Sequence, residues 1–148
     1  MIKRKGGYGK GTDSMQKAEC TAEFGSSVDK IWDIMTNNAN YGWRSDISDI
    51  VVQDGGNTFT EYTKKGYSTV FTVTLKIPHE RYEFDMKNDA MSGHFTAVFL
   101  KVNGRTRLTL TEEVEAVGAV KKMFAGMYLK KHQKTYVSDL RKALGEDV

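Results

Sequence analysis

The sequence predicts an α+β domain, a curved antiparallel sheet of about six to seven strands wrapped around a long C-terminal helix. Three observations carry this. Apolar and polar residues alternate in short segments from Lys17 to Glu115, the signature of half-buried strands. The turns between these segments are too short to hold a crossover helix, so consecutive strands pair as an antiparallel meander. The remainder, residues 117–144, has no proline, many lysines and Gly145 placed as a stop, which reads as one helical region. One sheet with one apolar face, covered by one long helix, is a two-layer solution that leaves space wherever the helix cannot fill the concavity.

The elements follow in chain order. "KAECTAEF" alternates Ala18, Cys20, Ala22 and Phe24 with Lys17, Glu19, Thr21 and Glu23, giving a first strand that Gly25-Ser26-Ser27 breaks. Ser26 or Ser27 can cap a short helix whose apolar face is Val28, Ile31, Trp32 and Met35, ending near "NNANYG", residues 37–42. Further strands are expected near 48–53, 58–63, 67–76, 80–88, 94–102 and 105–115. Asn103-Gly104 is the favoured pair for a two-residue type I′ hairpin, so Val102 faces Arg105, Phe99 faces Leu108, Ala97 faces Leu110 and Phe95 faces Glu112. Lys64-Lys65-Gly66 suits a three-residue loop with glycine left-handed, which sets Thr63 against Tyr67, Glu61 against Thr69 and Phe59 against Phe71.

These registers pick out two acids on the apolar face. Leu108, Leu110, Glu112 and Val114 point inward, whereas Arg107, Thr109, Thr111 and Glu113 face water. Glu61 is the second inward acid, on the face expected to carry Phe71, Val73 and Leu75. A buried carboxylate needs a cation, a hydrogen bond, water or a proton. Because its row is apolar, Glu112 is expected to lack a cation and to hold its proton more tightly than an ordinary glutamate; a structural ion pair is the alternative.

Composition limits the function. The chain has 148 residues, enough for one domain with a single core. Its net charge of +3 comes from Lys3, Arg4, Lys5 and Lys10 against Asp13, which leaves eighteen basic and eighteen acidic residues in the body. That balance offers no basic face for nucleic acid. "KGGYGKGTDS", residues 5–14, looks like a phosphate loop, but Lys10 precedes Gly11 rather than Ser or Thr and no strand comes before it. Residues 1–15 are expected to be a flexible tail and 16–148 the domain, with Met15 a possible alternative start. One cysteine, Cys20, allows no internal disulfide, which makes the cytoplasm the expected compartment. No membrane span, metal site, cofactor or serine-hydrolase elbow is expected: His94 faces outward, His79 lies in the Pro78 turn, and His132 has no second ligand at metal spacing.

The strings "SSVDKIWDIMTNNANYGWRSDI", "EYTKKGYSTVFTVT", "RYEFDM", "GRTRLTLTEEVE" and "YLKKHQKTYVSDLRKAL", in this element order, resemble the START-like superfamily (SRPBCC, helix-grip), and within it the polyketide cyclase/dehydrase-like branch. The resemblance spans Gln16 to Gly145. It implies an apolar cavity between sheet and C-terminal helix, used for lipids, polyketides, isoprenoids, hormones or quinones. It implies no universal catalytic residue.

The expected partner is a small hydrophobic molecule, with the chain a monomer or weak dimer. Ligand-binding candidates on the inward face are Phe59, Glu61, Phe71, Val73, Tyr82, Phe84, Met86, Phe95, Phe99, Leu110 and Glu112. "YGWRSD" adds Trp43 and Arg44, the latter able to reach an inward glutamate, though a surface pair with Asp46 is the plainer reading. On the terminal helix, Val120, Met123, Phe124 and Met127 form one stripe, while Leu129, Tyr136, Val137, Leu140 and Leu144 centre on nearly the opposite side. A break near Gly126 would reconcile the two, placing Met123, Phe124 and Met127 over the cavity mouth. If the protein is an enzyme of cyclase or dehydratase type, Glu112, Glu61 and Tyr82 are the acid-base candidates. A third reading, modulation of a protein partner, needs a large exposed apolar patch.

Overall fold

A computed structural model describes residues 15–146, apart from the side chains of residues 119–124. The glycine-rich start and the expected boundary of the tail therefore lie outside the described residues. The chain runs β1 (Met15–Phe24), α1 (Val28–Thr36), β2 (Ile47–Gln53), a 3₁₀ turn (Asp54–Gly56), β3 (Thr58–Thr63), β4 (Ser68–Ile77), β5 (Arg81–Lys87), β6 (Met91–Val102), β7 (Arg105–Ala116) and α2 (Ala119–Ala143). One antiparallel sheet of seven strands has the order β1-β7-β6-β5-β4-β3-β2, so β1 returns to pair with β7 while the rest is a meander. The sheet curves around α2, which packs chiefly on β1 and β7.

Local chemistry explains the turns. Asn103 and Gly104 both take positive φ, and Val102 pairs with Arg105, Phe99 with Leu108, Ala97 with Leu110 and Phe95 with Glu112. At the other hairpin Gly66 alone takes the left-handed conformation, the Thr63 amide donates to the Tyr67 carbonyl at 2.8 Å, and Glu61 pairs with Thr69. The Ser27 hydroxyl caps α1 by accepting the Lys30 amide, and the helix buries Ile31, Trp32 and Met35. Trp32 meets the rings of Phe99 and Tyr82 at centroid distances of 5.2 and 5.8 Å, closing one end of the layer.

Two expectations are corrected. Leu75 does not share the inward row with Phe71 and Val73: a bulge between Val73 and Leu75 pairs Val73 with Phe84 but Leu75 with the outward Glu83. The extra residue reverses the alternation, as bulges do, and Leu75 is exposed. The terminal helix is also unbroken through Gly126. A Cβ on Gly126 would stand 3.3 Å from the Gln16 side chain of β1, so glycine there permits close approach of helix to sheet rather than a kink. Ala125, Leu129, Gln133, Leu140 and Leu144 bury one stripe, and Met127 faces solvent.

The outer face carries an ionic cluster. His94 lies between Asp85 and Glu83, each 2.7 Å from one ring nitrogen, and Arg81 pairs with Glu83. Burial disfavours the imidazolium, but hydrogen bonds to Asp85 and Glu83 outweigh it and raise the His94 pKa. A raised histidine pKa contributes stability that is fully present below its unfolded value of about 6.5 and is lost as pH rises through the folded value. His94→Gln should therefore lower the urea midpoint in mild acid and lose that effect in alkali; a deficit independent of pH would contradict the pairing.

Candidate functional site

The site lies where the connection between α1 and β2 crosses α2. Asp139 on α2 is buried and accepts the Ser45 amide at 2.7 Å and the Ser45 hydroxyl at 2.9 Å, which pins the connection to the helix. Arg44 is thereby turned inward. Its guanidinium lies 4.9 Å from the Tyr136 ring centroid and 5.6 Å from that of Trp43, and Trp43 itself packs edge-on against Tyr136. Arg44 is only 7% exposed, which corrects the expected surface pair. It donates to both Glu61 oxygens, at 3.2 and 3.5 Å, and its Nε stands 3.5 Å from Asp46. Burial works against its charge, but Glu61, Tyr136 and Asp46 outweigh that and raise its pKa.

Two adjoining cavities open between sheet and helix. The first, of about 40 Å³, is lined by the rings of Phe59, Phe71, Tyr82, Phe84 and Phe95, by Met35 of α1 and Asn38 just past its end, and by Arg44, Glu61, Glu112, His132 and Tyr136. The second, of about 50 Å³, shares Glu61, Phe71, Glu112 and His132 with it and adds Asp46, Met86, Met91, Tyr128 and Leu129 among others. On the scale where one water takes about 10–15 Å³, each holds a few waters or one compact group. The aromatic wall is continuous: Phe84 stacks on Phe95 at 4.5 Å and meets Phe59, Phe71 and Tyr82 edge-on at 5.7, 5.1 and 5.4 Å.

Glu112 borders both cavities. It is 3% exposed, and its Oε1 has no hydrogen-bond partner among the described residues. Its Oε2 lies 3.9 Å from His132 Nε2, and His132 Nδ1 lies 3.7 Å from Asp46. Burial pushes the Glu112 pKa up; His132 and the Gln133 amide pull the other way without cancelling it. The Gln133 amide is itself committed to the Ala18 carbonyl at 3.0 Å. Such a raised carboxyl contributes stability that is present below the unfolded value and lost as pH rises through the folded one. Glu112→Gln should accordingly raise the denaturation midpoint at neutral pH and show no advantage in acid. A mutant less stable than wild type at neutral pH would mean that His132 holds Glu112 as a structural ion pair.

The remaining candidates divide. Val73, Phe99, Leu110 and Trp43 belong to the core or pack against it and border neither cavity. Met127 is 69% exposed, and the side chains of Met123 and Phe124 lie outside the described residues. The sequence reading missed His132, Asp46, Tyr136 and Met35 as cavity residues. His132 lies three residues after Leu129 and four before Tyr136, on the margin of the buried stripe, and that spacing was the available signal. Among the described residues no three His, Cys, Asp or Glu side chains group to hold a metal ion, and no helix is long and apolar enough to cross a membrane.

The chain has the START-like, helix-grip fold. Solved structures that superpose on it include a START superfamily protein from Mycobacterium smegmatis, with TM-score 0.67 and 15% identity over 86% of this chain and 98% of that one. A conserved protein from Geobacillus kaustophilus superposes with TM-score 0.74 and 13% identity, covering 88% and 95%. A protein from Mesorhizobium loti gives TM-score 0.72 and 12% identity, covering 90% and 99%. No family model and no curated protein matches the sequence.

Proposed function

We propose that this protein binds a small, largely apolar molecule with at least one polar group, held between the aromatic wall of the sheet and α2. The observation that carries this reading is Glu112: a buried carboxyl with an unpartnered oxygen at the junction of two cavities. Such a group is costly unless something supplies a hydrogen bond. The fold, shared with a START superfamily protein, supports ligand binding as a class. Sites for drug-sized ligands occupy about 300–1,000 Å³, so a compact molecule fits the free protein, and a lipid or polyketide chain would have to displace aromatic side chains.

Methionine methyl NMR tests the proposal, because Met35 borders the first cavity and Met86 and Met91 the second. A library of small amphiphiles should contain members that shift these methyls in a saturable way. Shifts confined to the exposed Met127, or none at all, would overturn it.

A second reading, acid-base catalysis of cyclase or dehydratase type, is favoured by the approach of Glu112 to His132 with Tyr82 on the same cavity wall. Glu61 suits it less, because Arg44 occupies both of its oxygens. A bound compound released unchanged favours binding, and its conversion favours catalysis.

A further inference from the structure

We infer that the cavity selects a ligand bearing an ammonium or comparable organic cation, with Glu112 as its counter-ion and the aromatic wall around its short apolar body. This rests on the ligand-binding reading above and specifies the ligand's chemical class.

The charges around the cavities do not balance at Glu112. Three carboxyl groups, Glu61, Asp46 and Glu112, and three bases, Arg44, His132 and Lys87, line the cavities. Lys87 is exposed and, among the described residues, forms no ion pair with these acids, whereas Arg44 and His132 lie within 4 Å of them. Arg44 is committed: both Glu61 oxygens and Asp46 lie within 3.5 Å of it. His132 is divided between Asp46 at 3.7 Å and Glu112 at 3.9 Å, both longer than a hydrogen bond. Even with His132 protonated, three ionised carboxylates exceed by one charge the two cations that pair with them. The deficit falls on Glu112, which is 3% exposed and whose Oε1 lacks a partner among the described residues. In the free protein a proton on Glu112 makes up the difference; a ligand cation would replace it. A ligand carboxylate would meet three acids, with both terminal guanidinium nitrogens already on Glu61 and only the Arg44 Nε and the exposed Lys87 left to receive it. A divalent metal ion is disfavoured because no three ligating side chains among the described residues group around one point. An organic cation needs only one carboxylate, and aromatic faces favour it further.

n-Butylammonium, n-butanol and butyrate, titrated separately at neutral pH and followed through the methyls of Met35, Met86 and Met91, test this. n-Butylammonium and n-butanol share one butyl body, butyrate is one methylene shorter in its apolar part, and the three differ in charge. Butylammonium should bind about tenfold more tightly than butanol, the difference between a charge-assisted and a neutral hydrogen bond, and butyrate should bind most weakly. Glu112→Gln should bring butylammonium and butanol to within about threefold of each other. Butanol or butyrate binding as well as butylammonium to wild type would overturn the cation assignment and leave the cavity reading standing. A preference for butylammonium that survives in Glu112→Gln would overturn the role of Glu112. Failure of all three probes to move any of the three methyls would overturn the cavity reading together with this one.

Discussion

Arg44→Leu should cost about 3–5 kcal/mol of folding stability, the loss expected when one partner of a buried ion pair is removed. Arg44 is 7% exposed and balances Glu61 and Asp46 at once, so the substitution strands two acids beside a third, Glu112. It also removes the guanidinium packed on the rings of Tyr136 and Trp43. The net worth of the pair is smaller than this loss, because most of the damage is the uncompensated charge left behind. Arg44→Leu combined with Glu61→Leu should therefore regain at least half of the lost stability. Urea denaturation of the two single variants and the double variant measures this directly. A single-variant loss below about 1 kcal/mol would mark the pair as solvent-screened, and a double variant no better than Arg44→Leu would show that Glu61 is not the stranded group.

Phe84→Ala is the second large effect, at about 3–5 kcal/mol. Phe84 is the hub of the aromatic wall, touching Phe59, Phe71, Tyr82 and Phe95, so its removal takes transfer energy and leaves a void that rigid neighbours cannot fill. The void joins the first cavity, and the enlarged space should accept benzene, as engineered apolar cavities do. Benzene should consequently raise the melting temperature of Phe84→Ala more than that of wild type. A loss under about 1.5 kcal/mol with no benzene response would show the wall collapsing into the gap.

The parts of this structure legible in sequence are those set by local chemistry. Asn103-Gly104 and Lys64-Lys65-Gly66 each fix a hairpin register, and the register alone puts Glu112 beside Phe95 and Glu61 beside Thr69. What the sequence conceals is non-local. Nothing in "VFTVTLK" marks the bulge between Val73 and Leu75 that turns Leu75 to the outer face. The helical wheel of α2 shows two apolar stripes and cannot say that Gly126 is small because Gln16 passes beside it. His132 reaches Glu112 because α2 packs on β7, and Arg44 is turned toward Glu61 where the Asp139–Ser45 contacts dock the α1–β2 connection on the helix, ninety-four residues away in the chain. Where the fold is a set of hairpins the sequence is readable; where layers meet, side-chain partners depend on curvature and helix placement.

The central claim is that Glu112 is a cavity carboxyl kept for a ligand rather than half of a structural ion pair. Titration of its side-chain carboxyl carbon by ¹³C NMR in the free protein tests this most directly, with Glu112→Gln to assign the resonance. A midpoint above the ordinary carboxylate range, falling when a cavity ligand carrying a cation is bound, is the predicted result. A midpoint at or below the ordinary range in the free protein would show that His132 already satisfies the charge, and would contradict the account.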